Sequence, residues 1–299
     1  MSGWTAGSRA RFHLRPCRRP YAPPTAGAAT TAAPVPAPPQ RQHPVFTGGR
    51  YGSGVPLTFP SHPAAVLPLK LWRPRWFDGV ALVVGSMAPD LAYLFDGSGL
   101  PVWPFSHQVP GLVGWCLPVT LVGTWLIRRA APVLASHLPG GGPLALPDYG
   151  ALGQSRHRWP ITVCSALLGA ASHLALDRVE VGLPATEYVM HVLGGAGLLA
   201  IAVRIGRRRL LRQYHGEPPS RPTRPVLFWA VAGGVTLPLA AATPFLPAAS
   251  LAHTTGVRLL CAVGAGLLVA SLTVAASRGP RVTQPPQRRP TSRKKVPRS

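Results

Sequence analysis

From Trp76 onward the chain reads as six long apolar runs cut by short polar stretches. The runs are Trp76–Phe95, Val109–Ile127, Pro160–Asp177, Tyr188–Ile205, Val226–Pro247 and Val257–Ala276. Val, Leu, Ala and Gly fill them without the strict alternation of strands. Each reaches, or nearly reaches, the roughly 17–25 residues that a helix needs to cross a hydrocarbon core. Helices close their own backbone hydrogen bonds, which lipid cannot do for them. The pattern therefore predicts an all-α, polytopic membrane protein with about six transmembrane helices. Ahead of them "FPSHPAAVLPLKLW", Phe59 to Trp72, is too short to span. It is expected as a re-entrant or interfacial helix, with Ser61 as its N-cap and Pro63 in its first turn.

Composition agrees with lipid as the solvent. Of the 299 residues 46% are hydrophobic and 13% charged, the latter about half the usual share for a soluble domain. The net charge of +23, from 31 Lys and Arg against 8 acids, raises the question of a nucleic-acid partner. The basic residues sit in short clusters between apolar runs and not on an aromatic-bearing module, so no nucleic acid is expected. Counted loop by loop, 22 basic residues fall on one side of the spans and a single one, Arg178, on the other. Positive loops stay cytoplasmic, which puts the C-terminus inside and the protein in the inner (plasma) membrane. Residues 1–54 are rich in Arg, Pro and Ala and hold no acid, and the tail 277–299 is polar and basic. Both are expected to be disordered, leaving 55–276 as the membrane domain. The tail and basic loops are expected to attract anionic lipid headgroups. Cys116, Cys164 and Cys261 lie inside apolar runs and Cys17 in the first tail, with no Cys-x-x-Cys spacing, so thiol chemistry is not indicated.

With this orientation the acids sort themselves. Asp90, Asp96, Asp177, Glu180 and Glu187 fall at or beyond the outer ends of spans, leaving Asp78, Asp148 and Glu217 inside. His107, His173 and His191 lie in the same outer layer, and His62 joins them if the short helix dips in from outside. "SHLALD" places His173 and Asp177 on one helix face at i and i+4, and "EYVMH" does the same for Glu187 and His191. Imidazole and carboxylate presented together are ligands for a divalent metal, Zn²⁺ first, and a bound ion brings the pKa of its water to about 7. Asp90, directly behind Pro89, is then a ligand or a general base; otherwise it caps backbone donors freed by a helix break. His173–Asp177 is half of such a site or a local hydrogen-bonded pair, and His191 a member of it or an interfacial ring. An ionisable group at the centre of a membrane helix costs roughly 2.5–3.5 kcal/mol, so a layer of several points to function. His137, Asp148 and His157, in the Gly- and Pro-rich loop Arg128–Trp159, are expected to be solvated. No Gly-x-Ser-x-Gly or phosphate-binding loop motif is present.

"PLTFPSHPAAVLPL", "GSMAPD", "FSHQVPG" and "GAASHLALD" together resemble the successive signatures of the domain-of-unknown-function 4184 family of bacterial integral membrane proteins. The resemblance runs from Val55 to about Ile205 and reaches the last two runs only through hydrophobicity. It implies that "VPLTFPSHPAAVLP" is the usual opening, so that the working protein is expected to start at Val55. More distantly, the order His, Asp, His, His-x-x-x-Asp is similar to that of membrane-bound metal-dependent hydrolases, which implies a metal role for His62, Asp90, His107, His173 and Asp177. Where such proteins often carry Thr-His after the last carboxylate, this chain has Arg178, Val179 and Glu180. Glu180 replaces the missing ligand or the ligand is absent, and Arg178 opposes a cation by like charge. The leading expectation is a metal-dependent hydrolase acting on a lipid-like or envelope substrate, with Asp90, His107, His173 and Asp177 as ligands. The alternative is a non-enzymatic transporter or membrane interaction protein whose same groups bind a cation or protons.

Overall fold

The computed structural model describes residues 61–182, 187–221 and 223–277, without the side chains of residues 180–188 and 190. The extension 1–54 and the tail after Ser277 lie outside the described residues. Every regular element among the described residues is helical. The helices are α1 (Ser61–Trp72), α2 (Gly79–Met87), α3 (Val102–Ser106), α4 (Val109–Ser136), α5 (Trp159–Gly182), α6 (Glu187–Arg207), α7 (Leu210–His215), α8 (Pro225–Ala242) and α9 (Ala252–Ala276). Four stretches are long and apolar enough to cross a membrane: Val109–Ser136, Trp159–Val179, Pro225–Phe245 and Ala252–Ala276. They answer to four of the six predicted runs.

The run 76–95 is not a continuous helix. Asp78 caps α2, its carboxylate accepting from the Ala81 N–H at 3.4 Å. α2 runs for nine residues to Met87 and gives way at Pro89, which has no N–H to continue the ladder. A 3-10 turn, Asp90–Phe95, follows. The run 188–205 does form a helix, α6.

α2 and α5 run parallel and touch through their backbones. Asp78 meets Thr162 and Ser165 at one end, while Ser86 meets His173 near the other. Between these points a Cβ on Gly85 would overlap the Ala166 carbonyl, and one on Gly169 would overlap the Leu82 carbonyl. Small residues let two helices approach this closely, which is how helices associate in lipid, where apolar burial brings little gain. α8 and α9 repeat the device, Gly266 lying against Ala232 and Thr236. α1 folds back along α2 in the opposite sense: Lys70, near its end, donates to the carbonyls of Pro74 and Phe77 just ahead of α2. His62, at its start, therefore lies beside the far end of α5. Outward faces are apolar, Val226, Leu237, Val192 and Phe245 all being exposed.

The segment Arg128–Trp159 differs from the solvated loop expected. Asp148 is buried, and accepts from Arg209 Nη1 at 3.0 Å and Arg212 Nε at 2.6 Å. His137 Nε2 accepts from the Arg224 N–H at 3.0 Å, and its ring stacks on Phe228. The arginines that hold the loop come from α7 and its flank, about sixty positions away, which is why its Gly and Pro content alone suggested solvent.

Candidate metal centre

The break at Pro89 does two things for the site. It ends α2, leaving the carbonyls of the last turn without helical partners. Ser86 is in that turn, and its carbonyl lies 2.8 Å from His173 Nδ1. A carbonyl only accepts, so Nδ1 carries the proton and the His173 Nε2 lone pair faces away from α2. The break also turns Asp90, buried in the first position of the 3-10 segment, toward that lone pair. Asp90 does not cap the broken helix; its Oδ1 stands 3.3 Å from His173 Nε2 and 3.5 Å from His107 Nε2.

His107 follows α3 and is oriented in the same manner. Its Nδ1 lies 3.3 Å from the Trp103 carbonyl and 2.9 Å from the Ser106 hydroxyl. The Ser106 hydroxyl in turn donates to the Pro89 carbonyl at 3.0 Å, which links α3 to the helix break. His107 Nε2 is thereby turned to Asp90 and, at 3.6 Å, to Asp177 Oδ2. Asp177, one turn beyond His173 on α5, places the same Oδ2 3.2 Å from His173 Nε2. Asp90, His107, Asp177 and His173 thus close a ring in which nitrogen and oxygen alternate, each neighbour 3.2–3.6 Å away.

Those separations suit a shared cation. Ligand bonds of about 2.0–2.2 Å arranged tetrahedrally hold neighbouring donor atoms about 3.3–3.6 Å apart. Moreover, His173 Nε2 is fully buried and makes no hydrogen bond, although two carboxylate oxygens stand close to it. An imidazole lone pair aimed at two carboxylates is unfavourable unless positive charge, a bound cation or a proton on Nε2, lies between them. The two histidines and two carboxylates supply a mixed N/O donor set of the kind zinc takes, so the residues fit a divalent ion. Donor atoms that lie within 4.8 Å of one another form two three-ligand groups that share His173: Asp90, His107 and His173, and His62, His173 and Asp177.

His62 completes the cluster from α1. Its Nε2 lies 3.1 Å from Asp177 Oδ1, the oxygen not used in the ring, and its own ring stacks on His173 with centroids 3.9 Å apart. The closeness of α1 that allows this depends on Gly194 of α6, where a Cβ would run into Ser61.

Of the residues expected in the outer layer, the structure brings His62, Asp90, His107, His173 and Asp177 together. The side chains of Glu180 and Glu187 lie outside the described residues. His191, on α6 one turn before Gly194, belongs to neither ligand group. Arg178 is exposed and has no ion pair among the described residues, while Asp177 faces the cluster. Asp96 serves another contact, accepting from the Thr254 hydroxyl at 2.7 Å.

Several members of this region were not foreseen. The backbone carbonyls of Ser86 and Trp103 set both histidine tautomers, and backbone groups leave no mark on residue identity. Tyr93 packs its ring near His107 and, at 4.6 Å, against His253. Arg258, buried in α9, donates to the carbonyls of Asp96 at 2.8 Å and Pro247 at 2.6 Å, which ties α9 to the chain just after the 3-10 turn. A lone arginine inside an apolar run was the available signal for it.

No curated protein and no solved structure matches the chain. The resemblance drawn from the quoted signatures is borne out over residues 55–180, the stretch that carries the whole His/Asp cluster, which match the family described as Domain of unknown function (DUF4184).

Proposed function

We propose that this protein is a multi-pass membrane protein that holds one divalent ion, zinc by its donor set, in the ring of Asp90, His107, His173 and Asp177, and hydrolyses an ester of a lipid-like or envelope substrate there. The observation that carries the reading is the buried His173 Nε2, without a hydrogen bond and within 3.3 Å of two carboxylate oxygens. A bound zinc ion supplies a water with a pKa of about 7, hydroxide at neutral pH. Asp90 and His173 are the buried members of the ring, whereas Asp177 is 31% exposed and His107 19%, so these two border the side open to substrate. Asp177 is the better placed carboxylate to receive a proton from solvent or substrate, because His62 Nε2 steadies its other oxygen. Asp90, assigned a ligand or base role by its place in the sequence, has the burial of a ligand.

The similarity to metal-dependent hydrolases rests on residue order alone. Hydrolysis is nevertheless favoured over transport by the packing below the ring. A transported cation needs polar groups that continue along the helices, and the α2–α5 interface is instead closed by the backbone contacts at Gly85 and Gly169. In this reading the runs 76–95 and 188–205 complete six crossings, and α1 is the re-entrant piece that carries His62 to the extracytoplasmic layer. The membrane is the inner one, with the C-terminus cytoplasmic.

Elemental analysis of the full-length protein, purified in detergent without chelator, tests the proposal. One divalent ion per wild-type chain and none in His173→Ala is the expected result, with hydrolysis of a short-chain p-nitrophenyl ester by the wild type only. Metal-free wild-type protein overturns the metal; metal-loaded protein no faster on the ester than His173→Ala overturns the hydrolase.

A further inference from the structure

At the end of α2 and α5 opposite the metal ring lies a second polar region, which no step of the proposed hydrolysis uses. It surrounds a cavity of about 920 Å³ whose charged lining is Lys70, Arg73, Arg75, Arg156 and Arg158, with no carboxylate among its lining residues. Arg73 and Arg75 come from the turn between α1 and α2, and Arg156 and Arg158 from the segment that enters α5. His157, Tyr214 and His215 close the remaining side.

The acids beside its lining are already engaged: Glu217 pairs with Arg212 Nη1 at 2.7 Å. Asp78 is fully buried behind Lys70, ion-paired with Arg128 and accepting from the Thr162 hydroxyl at 2.7 Å. Lys70 itself is fixed: its three protons go to the carbonyls of Pro74 at 2.7 Å and Phe77 at 2.9 Å and to His157 Nε2 at 3.2 Å. It therefore sets the shape of the α1–α2 turn and adds charge without offering a free donor. The four arginines are in the reverse position. All are exposed and, among the described residues, none has a carboxylate partner. Arg73 stacks over Trp72 at 4.9 Å, which leaves the edge of its guanidinium free.

We propose that this cavity binds a phosphate group, as a phosphomonoester or diphosphate, through the guanidinium groups of Arg73, Arg75, Arg156 and Arg158. Guanidinium forks match phosphate oxygens in pairs, and several converging on one cavity repel each other until an anion enters. The volume is within the range of about 300–1,000 Å³ typical of ligand pockets. Its rim carries Trp72 and Trp76, 67% and 75% exposed, and Trp159, 76% exposed, begins α5 beside it. Exposed indoles in a membrane protein mark the headgroup level, where lipid phosphates sit. A free phosphate and a phospholipid headgroup share the recognising chemistry, and the rim favours the headgroup. Burial pushes Lys70 down to about 8 and His215 to about 4, and the Lys70 charge adds to the burial that lowers both His157 and His215.

The test uses the full-length protein in detergent, with dioctanoyl phosphatidic acid, dioctanoyl phosphatidylcholine and inorganic pyrophosphate as probes, read by native mass spectrometry and calorimetry. Wild type should bind phosphatidic acid, and the double variant Arg156→Gln, Arg158→Gln should bind it at least tenfold more weakly. Lysine at both positions should restore part of the affinity, since charge returns without the fork. The metal content of the His/Asp ring should be the same in all three proteins, which separates this site from the other. Binding of pyrophosphate without phosphatidic acid, lost in the Gln variant, assigns the site to a soluble phosphate and still supports it. No binding of either probe, or equal binding of phosphatidic acid and phosphatidylcholine, overturns the proposal, as does an unchanged affinity in the Gln variant.

Discussion

His173 shows how a single imidazole is committed on both sides: one nitrogen to the Ser86 carbonyl, the other to Asp90 and Asp177. If an ion fills the gap, neighbours of the ring and members of it should behave differently on mutation. Asp177→Ala removes a ligand and should abolish stoichiometric metal. His62→Ala removes the hydrogen bond that steadies Asp177 and the ring stacked on His173, and should weaken metal affinity about 10–100-fold while leaving one ion per chain at saturating metal. A chelator competition assay on the two variants reads the difference; equal loss in both would place His62 among the ligands. A second expectation concerns acid. Burial lowers His215 from 6.5 to about 4 and lowers His157 as well. Between pH 6.5 and 4 the unfolded chain binds a proton that the folded His215 refuses. Stability therefore falls as pH drops through that window. Thermal melting in detergent should be lower at pH 5 than at pH 7, and His215→Gln should shrink the difference; a variant with the wild-type pH dependence would refute the assignment. At this scale the His173–Asp177 pair was legible because i,i+4 spacing on a helix fixes a common face. The groups that decide the tautomers were not, because a carbonyl at a helix end belongs to no residue type.

At the scale of elements the site hangs on two local features, the break at Pro89 and the contact of α2 with α5. A side chain at Gly169 would meet the Leu82 carbonyl and, at 2.8 Å, the Ser86 nitrogen, both backbone atoms that cannot rotate aside. Gly169→Leu should push the helices apart, destabilise the protein by about 1–3 kcal/mol or more, and draw the Ser86 carbonyl away from His173. Metal content should fall together with melting temperature. Gly195→Ala in α6, where a Cβ meets nothing within 4 Å, is the matched control and should change neither. A Gly169→Leu protein with full metal and wild-type melting would show that the crossing does not position the site. The runs 109–127, 160–177, 226–247 and 257–276 were readable because apolar length is a local property; three lie within a stretch long enough to span, and 226–247 overruns its stretch, which ends at Phe245. The run 76–95 is expected as one span with a break at Pro89 as the alternative, and the structure has the break; sequence leaves both open because a proline is tolerated in many membrane helices and only the packing around this one makes it a break. The burial of Asp148 was out of reach for a different reason: its arginine partners are far along the chain, and no local pattern names them.

Across the whole molecule the charge is polarised along the parallel pair α2 and α5. Asp78, Arg128 and the arginine-lined cavity lie at the end where both helices start, and the His/Asp ring lies where they finish. The chain enters α2 and α5 from the same side, so the segment around Ser98, just beyond the 3-10 turn, and the segment 154–158, just before α5, should face opposite compartments. The proposed orientation makes the second of these the cytoplasmic one. Ser155 is buried and makes a poor reporter, but Gln154 next to it is exposed, as is Ser98. In a background with its own four cysteines replaced, Ser98→Cys should be labelled by an impermeant maleimide in intact cells, and Gln154→Cys only after the membrane is opened. The inverted pattern would reverse the orientation but keep the two polar regions on opposite faces, as would be needed for a metal site open to one compartment and a phosphate site open to the other. Labelling of both positions from the same side is the result that cannot be reconciled with the helices as packed: it would require α2 and α5 to lie within one leaflet. The ring and the cavity would then share one aqueous phase, and the extracytoplasmic assignment of the hydrolase would fail with the topology.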